Sequence, residues 1–395
     1  MIPNFADRFD GISGSAIREI FKLIARPGVI SFAGGNPSPK ALPDDLVGEI
    51  AAKVIKEDGK RILQYGATEG YPPFLESLSN YLKNKHAFDL SNNLVLPTTG
   101  STQGMDLLCK ALINPGDVII TENPTFLGNM QAMRLYQAKL VGVDCDNDGI
   151  IIDELEAAIK KYKPKMLYII PTFQNPGGTT LSLERRKKIV ALAEEYGFIV
   201  AEDDPYGDLR FSGESLPTIK SFDKTGNVVY LGSFSKIISP GMRVGYMVGE
   251  NTIIRKCTIG KQSSDLHTAN LTQAIVDKFL RENLLDDLIE KIKEDYSIKM
   301  QTMLDALKDF PEGTKYTKPE GGMFIFVKLP QGLNATELLN TAVSNNVAYV
   351  PGTHFYTDGG RENTLRLNFT NSDIDTIKTG MAKIAEIFKD NNGGK

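Results

Sequence analysis

The sequence has few of the residues that form metal sites, disulfide frameworks and hydrolytic triads. Its 395 residues include three cysteines and three histidines, and neither set has the spacing of a metal-binding motif or a Cys-x-x-Cys pair. It also lacks a Gly-x-Gly-x-x-Gly motif and a Gly-Lys-Ser/Thr phosphate loop. These absences disfavour a Ser-His-Asp hydrolase, a dinucleotide enzyme and a nucleoside-triphosphate enzyme, and we predict no metal site.

Long apolar runs and clusters of basic residues are also missing. The formal net charge is −4, and no stretch combines many lysines and arginines with aromatic residues, so we expect no nucleic-acid partner. No apolar run is long enough to span a bilayer, and the segment Met1–Arg8 lacks the apolar core of a signal peptide. With three scattered cysteines, a reduced, cytoplasmic setting is the expected localisation.

The order of predicted elements indicates an α/β fold. From Leu94 to Val248, short apolar strands alternate with helices, a pattern typical of a mostly parallel sheet covered by helices on both faces. We expect a large domain at residues 44–285 and a small C-terminal domain at 286–395. Residues 1–43 then form an N-terminal segment that joins the small domain and the rim of the active site.

Polar residues follow several of these strands, at the point where each strand ends. In a parallel sheet the carboxyl ends of the strands lie along one edge, where α/β proteins bind their ligands. The side chains expected to meet at that edge are Ser101, Phe126, Asn175, Asp203 and Lys236.

The stretch from Tyr230 to Tyr246 carries the strongest chemical signal. A buried strand is predicted to end at hydroxyl-bearing residues, Lys236 follows at once, and Arg243 comes seven residues later. A lysine held partly out of water has a lowered pKa and can act as an amine nucleophile. The hydroxyls and the guanidinium provide hydrogen bonds for a phosphate group. A lysine that forms a Schiff base beside a phosphate site is what pyridoxal phosphate requires.

The motif Ser-x-Ser-Lys-x-x-x-Pro-Gly-x-Arg, at 233–243, resembles the cofactor-lysine motif of the fold-type I, class I/II aminotransferases. Ile17-Arg18-Glu19 and the Ser-Phe-Ala-Gly-Gly-x-Pro segment at 31–37 are similar to the branch of 2-aminoadipate and kynurenine aminotransferases. The resemblance covers nearly the whole chain. It implies a mostly parallel, seven-stranded-type sheet sandwiched by helices, with a smaller α+β domain, and pyridoxal 5'-phosphate as the cofactor.

The resemblance also implies roles around the cofactor ring. Lys236 forms the internal aldimine and carries the proton during transfer, and Asp203, rather than Asp204, pairs with the pyridine nitrogen. Asn175 and Tyr206 hydrogen-bond the ring hydroxyl. A further residue, Phe126, stacks on the ring.

The same resemblance implies a phosphate site and a dimer. The residues that hold the phosphate are Ser101, Thr102, Ser233, Ser235 and Arg243. Tyr65 reaches the phosphate from the neighbouring subunit, so the active unit is expected to be a homodimer.

The substrates implied are an L-amino acid and a 2-oxo acid such as 2-oxoglutarate. Arg366, with Asn175 and the backbone N–H of Gly35, binds the α-carboxylate, and Arg18 meets acidic side chains or swings out for apolar ones. Asn36 departs from the family, in which an apolar residue is usual after Gly-Gly.

Other interpretations remain open from the residues alone. Taken singly, Lys236 is a solvated lysine, Tyr65 a packed aromatic residue and Arg366 an exposed charge at a sheet edge. A second hypothesis is a cofactor-binding regulatory module of the kind fused to helix-turn-helix repressors, which the direct start at the aminotransferase-like region disfavours. A third is a lyase or decarboxylase that uses the same cofactor.

Overall fold

A computed structural model of the chain describes residues 5–10, 12 and 28–392. Arg18 and the helix predicted around it lie outside the described residues. Within the described part, the strands in chain order are β1 (Ile30–Ser31), β2 (Asn93–Thr98), β3 (Val118–Asn123), β4 (Lys139–Asp146), β5 (Gly149–Ile150), β6 (Met166–Ile169), β7 (Ile199–Asp204), β8 (Val228–Ser233), β9 (Gly245–Glu250), β10 (Lys315–Tyr316), β11 (Phe324–Lys328), β12 (Val347–Ala348), β13 (Val350–Pro351) and β14 (Thr364–Asn368).

The central sheet confirms the predicted mostly parallel α/β architecture. Over the described residues its strand order is β2-β9-β8-β7-β6-β3-β4-β5, in which β5 is only a two-residue edge strand paired to β4. The run from β8 to β4 is parallel throughout. Because β9 is antiparallel to both β8 and β2, β2 runs in the same direction as the parallel strands.

Helices cover both faces of this sheet, as the alternation in the sequence predicts. Two apolar clusters, one on each side, bury residues of the same strands; Tyr168 of β6 belongs to one and its neighbour Leu167 to the other. The α-helices described are Asp44–Ile62, Pro72–His86, Ser101–Leu112, Leu127–Leu135, Ile152–Tyr162, Leu183–Tyr196, Asn251–Gln262, Asn270–Arg281, Leu285–Ala306, Ala335–Ser344 and Ile374–Asp390. None of these described helices is both long and apolar enough to cross a membrane.

A second, smaller sheet is antiparallel and has the order β10-β11-β14-β13. It follows the long helix Leu285–Ala306, and Ile374–Asp390 packs against that helix. The short strand β1 pairs in parallel with β12, so the segment that leads from β1 to Gly35 is attached to this smaller unit. Both sheets therefore contribute to the region where the polar residues meet.

Candidate active site

The strand ends meet at one cavity, as the sequence predicts. Because β2, β3, β6, β7 and β8 run in the same direction, the residues after them lie along one edge of the sheet. A cavity of about 330 Å³ opens at this edge. Its lining residues are Gly35, Asn36, Ser101, Thr102, Phe126, Gly128, Ile170, Asn175, Asp203, Pro205, Tyr206, Ser233, Ser235, Lys236, Arg243 and Arg366.

Lys236 follows β8 and extends its amine into this cavity. Its Nζ donates a hydrogen bond to the carbonyl oxygen of Gly35, at 2.9 Å. Burial, together with the charges of Arg243 and Arg366, lowers the pKa of Lys236 to about 8. A sizeable fraction of the amine is therefore neutral, and able to act as a nucleophile, close to neutral pH.

Asp203 is the second-last residue of β7 and is 2% exposed. Its Oδ2 accepts hydrogen bonds from the hydroxyl of Tyr168 at 2.9 Å and from Nδ2 of Asn129 at 3.1 Å. Its Oδ1 is buried and has no hydrogen-bond partner. Burial raises the pKa of Asp203 to about 7, against the opposite effect of these donors. A buried, unpaired carboxylate oxygen is unfavourable unless a donor meets it, and a protonated ring nitrogen is such a donor.

Asn175, Tyr206 and Arg366 form a continuous chain of hydrogen bonds. The Nδ2 of Asn175 donates to the hydroxyl of Tyr206 at 3.1 Å, and its Oδ1 accepts from Nη1 of Arg366 at 2.8 Å. The Nη2 of Arg366 donates to the carbonyl of Ala33 at 2.6 Å. The loop after β6 is thereby connected to β14 of the smaller sheet.

Arg366 is a buried cation, so the interpretation of an exposed charge at a sheet edge is wrong. It is 2% exposed, and its guanidinium lies between the rings of Phe324 and Phe355, with its Cζ 4.2 and 5.0 Å from their centres. Burial lowers its pKa to about 10, so it remains charged at neutral pH. Its Nε has no hydrogen-bond partner. A buried guanidinium with a free donor is suited to binding a carboxylate.

Hydroxyls, backbone amides and a guanidinium meet at the other end of the cavity. The Oγ of Ser233 donates to the Oγ of Ser235 at 2.9 Å. Arg243 has a left-handed backbone, with φ of 53°, and its Nη2 donates to the carbonyl of Thr99 at 3.1 Å. This guanidinium is exposed to solvent, in contrast to that of Arg366.

The helix Ser101–Leu112 begins at this end of the cavity, so its free N–H groups suit an anion. The residue before it, Gly100, has φ of 82°, and a Cβ there would collide with the guanidinium of Arg243. Only glycine fits at this position. Ser101 and Thr102 both line the cavity, so this end has the components of a phosphate site.

Phe126 lines the cavity at the start of the helix Leu127–Leu135. A Cβ on Gly128 would lie 2.6 Å from the Cζ of Phe126, so glycine at 128 leaves room for the ring. The ring is accordingly available to stack on a planar ligand.

Among the described residues, one predicted site residue is not part of the cavity lining. Tyr65 is 80% exposed, and its ring is packed edge-on to His267. Arg18 lies outside the described residues. Sequence reasoning missed Asn129 and Tyr168, which hold Asp203; the only available signal was that Tyr168 lies in the strand paired with β7.

Comparison with known proteins agrees with this geometry. The family described as aminotransferase class I and II matches residues 28–384. The chain belongs to this family. The aromatic-amino-acid aminotransferase 1 of Thermococcus litoralis is 42% identical over 392 residues, which cover 98% of this chain and 94% of that protein. The chain is thus a pyridoxal-phosphate-dependent aminotransferase of fold type I.

Solved aminotransferase structures share the fold over almost the whole length. The kynurenine aminotransferase of Pyrococcus horikoshii, solved in complex with PMP, has a TM-score of 0.95 at 41% identity and covers 98% of this chain and 97% of its own. The α-aminoadipate aminotransferase LysN of Thermus thermophilus, complexed with N-(5'-phosphopyridoxyl)-L-leucine, has a TM-score of 0.90 at 37% identity, with coverage of 98% and 97%. The cavity of this aminotransferase suits the same cofactor, since it holds both an unpaired Asp203 oxygen and a group of hydroxyls with a guanidinium that can bind an anion.

Proposed function

We propose that this aminotransferase moves an amino group from an L-amino acid to 2-oxoglutarate at the cavity around Lys236. The observation that carries the proposal is the combination of three groups in one cavity. They are an amine with a lowered pKa, a buried carboxylate with a free oxygen and a buried guanidinium with a free donor. Pyridoxal phosphate supplies the electron sink for this chemistry when it is bound.

Lys236 and Asp203 would perform the central steps. The Lys236 amine would hold the cofactor covalently and, once released by substrate, move a proton to and from the substrate Cα. Asp203 would pair with the pyridine nitrogen and keep it protonated, because a carboxylate beside a basic nitrogen favours its cationic form. Tyr206 and Asn175 would hydrogen-bond the ring hydroxyl, and Phe126 would stack on the ring.

At the other end, the phosphate would be held by five residues of this chain. They are Ser101, Thr102, Ser233, Ser235 and Arg243, all of which line the cavity. Tyr65 would complete the site from a second copy of the chain, which fits its exposed ring. The active unit would then be a homodimer.

Dilution tests the homodimer. Replacing Tyr65 with phenylalanine should weaken cofactor affinity by roughly 10-fold or more, the value of one hydrogen bond to a charged group. This loss should disappear under dilution that separates the subunits of both proteins. An equal loss in the separated subunits would place the Tyr65 contact within one chain.

The α-carboxylate of the amino acid would be bound by Arg366, with Asn175 and the backbone N–H of Gly35. The free Nε of Arg366 and its Asn175 contact support this role. Arg18 would face the substrate side chain. Amino acids of every side-chain type would share the contacts to the α-carboxylate and differ only in the contact with Arg18.

We further propose aromatic amino acids and 2-aminoadipate as preferred donors, since relatives that are 39–42% identical are named for these substrates. The test mixes the holoenzyme with one amino acid at a time and follows the loss of the cofactor's visible absorbance. Fast loss with these donors, and turnover with 2-oxoglutarate, is expected. A preparation with no response to any amino acid would instead be a binding module, and release of ammonia and pyruvate would indicate a lyase.

The organisation of the chain is part of the same proposal. We place the large cofactor-binding domain at residues 44–285 and the small domain at 286–395, joined by the segment 1–43. The cysteines Cys109, Cys145 and Cys257 are all unpaired, which is compatible with a reduced, cytoplasmic setting. Limited proteolysis at the 285/286 boundary, followed by mass measurement of the fragments, tests the division.

A further inference from the structure

Asp203 is bound on one oxygen only, and the residues that bind it come from two different elements. Tyr168 lies on β6, next to β7, and is paired in register with Ala201. Residues two apart on a strand share a face, so Tyr168 lies on the same face as Asp203. Asn129 comes from the helix Leu127–Leu135.

These three side chains form a closed network. The Nδ2 of Asn129 donates to the hydroxyl of Tyr168 at 2.8 Å and to Oδ2 of Asp203 at 3.1 Å. The Tyr168 hydroxyl in turn donates to the same Oδ2 at 2.9 Å. Tyr168 and Asn129 are each 0% exposed, and neither lines the cavity.

The asymmetry has a chemical consequence. Both donors occupy Oδ2, so Oδ1, which is buried and unpartnered, is the oxygen left for a ligand. Both donors are also neutral, and hydrogen bonds from neutral donors favour the ionised carboxylate without cancelling its charge. An arginine or lysine in the same place would have neutralised it.

We propose that Tyr168 and Asn129 are positioning residues for the aminotransferase reaction, which fix the orientation of Asp203 and keep it ionised toward the pyridine nitrogen of pyridoxal phosphate. This inference rests on the proposed role of Asp203. It adds that the strength of that pairing is set by two residues that touch neither substrate nor cofactor.

Other titratable groups also surround Asp203. Asp204, the next residue on β7, raises the pKa of Asp203, but its side chain accepts a hydrogen bond from Tyr230 instead. The other titratable groups that line the cavity are Tyr206, Lys236, Arg243 and Arg366, and the buried Glu122 of β3 acts on Tyr168. Burial holds the pKa of Tyr168 well above its ordinary value, so its hydroxyl remains a donor throughout the working pH range.

The test compares Tyr168→Phe and Asn129→Leu with the unmodified holoenzyme. The dissociation constant of pyridoxal phosphate is measured by equilibrium dialysis at pH 6, 7 and 8.5. Each variant should bind the cofactor about 10-fold more weakly at pH 6, the effect of one hydrogen bond to a charged group. The ratio of the two dissociation constants should shrink toward 1 at pH 8.5, because Asp203 is then ionised in the variant and in the unmodified enzyme alike.

The matched control is Tyr349→Phe, which removes another fully buried tyrosine hydroxyl, one bonded to the carbonyl of Ala335 at 2.7 Å. It should lower thermal stability without altering cofactor affinity at any of the three pH values. Titration of Lys236 is common to all these proteins and cancels in the ratios.

Two results would overturn the inference: a pH-independent ratio for both variants, or the same change in Tyr349→Phe. Asp203→Asn distinguishes a failure of the proposed role of Asp203 from a failure of the positioning role of Tyr168 and Asn129. If Asp203→Asn leaves cofactor affinity unchanged, the role of Asp203 itself is wrong. If Asp203→Asn weakens binding while Tyr168→Phe and Asn129→Leu do not, only the positioning role fails.

Discussion

The end of the cavity around Asp203 (the ring end) and the end around Arg243 (the phosphate end) differ in how far their charged groups are exposed. At the ring end, Asp203, Asn175, Tyr206 and Arg366 are between 2% and 5% exposed. At the phosphate end, by contrast, the Arg243 side chain is exposed in the single chain. Charges at the ring end therefore act at low dielectric, whereas those at the phosphate end are screened.

The difference indicates how each end works. The ring end is preorganised within one chain, since its charges are held by hydrogen bonds to Tyr168, Asn129 and Ala33. The phosphate end offers backbone amides, hydroxyls and one exposed cation, which bind a dianion without the desolvation penalty of a buried charge. Substitutions at the ring end should thus change chemistry strongly, and those at the phosphate end should mainly change affinity.

The largest effect is expected at Lys236, which lies between the two ends. Lys236→Ala should lower kcat by about four orders of magnitude or more, because the amine is both nucleophile and proton carrier. It should still bind pyridoxal phosphate through the remaining contacts. Borohydride treatment and mass spectrometry should find no cofactor attached to the variant. The control is Lys220→Met, which alters another buried lysine that does not line the cavity. Near-normal turnover by Lys236→Ala would contradict the role of Lys236.

The next effect is expected at Asp203, and it has opposite signs for activity and stability. Asp203→Asn should lower kcat by about three orders of magnitude. The folded-state pKa of about 7 lies above the unfolded value, so the contribution of this carboxyl to stability is present at low pH and lost as the pH rises through 7. The cofactor-free variant should therefore gain stability relative to the unmodified protein between pH 5 and pH 8.

Calorimetry of the two cofactor-free proteins at both pH values measures this gain. Glu202→Gln is the control for activity, since Glu202 is the preceding buried carboxyl on β7 and bonds the backbone of Ile219 and Lys220 instead. A stability difference that does not depend on pH would mean that Asp203 is ionised in the folded protein throughout.

An intermediate effect is expected at Arg366. Arg366→Ala removes a buried cation that binds a charged group, which costs about 2–4 kcal/mol, or roughly 30- to 700-fold in kcat/KM. The loss should be the same for acidic, aromatic and aliphatic donors, because all share the α-carboxylate. Arg361→Ala, at a half-buried surface arginine, should have no such effect. A loss limited to acidic donors would reassign Arg366 to side-chain recognition.

The smallest effect is expected at Arg243. Arg243→Gln should weaken pyridoxal phosphate binding by roughly 10- to 150-fold at low salt, the value of a charge-assisted hydrogen bond. Because this guanidinium is exposed, the difference should narrow as ionic strength rises. Dialysis at two salt concentrations measures it, with Arg255→Gln as the control. A salt-independent loss, accompanied by a fall in kcat, would contradict the division between the two ends.

Much of the cavity is predictable from the sequence because strand ends can be recognised as points where apolar runs stop. The parallel direction of the strands then brings Ser101, Phe126, Asn175, Asp203 and Lys236 together. Arg366 is different: its strand is buried on both faces, so alternation along the chain could not distinguish a buried cation from an exposed one.

Tyr168 and Asn129 were beyond sequence reasoning for another reason. A tyrosine inside a buried strand is usually a packed aromatic residue, and an asparagine within a helix carries no motif. Their role depends on the register of β6 against β7 and on the placement of a separate helix. Neither quantity is encoded in the local pattern of either segment.

The pairing of β1 with β12 connects Gly35 and Arg366, the two groups proposed to bind the α-carboxylate from the smaller unit. Backbone hydrogen bonds join Phe32 to Ala348 and to Asn368, and Arg366 donates to Ala33. Gly35 and Arg366 are consequently attached to the smaller sheet, while Lys236 and Asp203 belong to the central sheet and the loop that follows it. Any separation of the two sheets would move Arg366 and Gly35 together and would break their hydrogen bonds to Asn175 and Lys236, which stay with the central sheet.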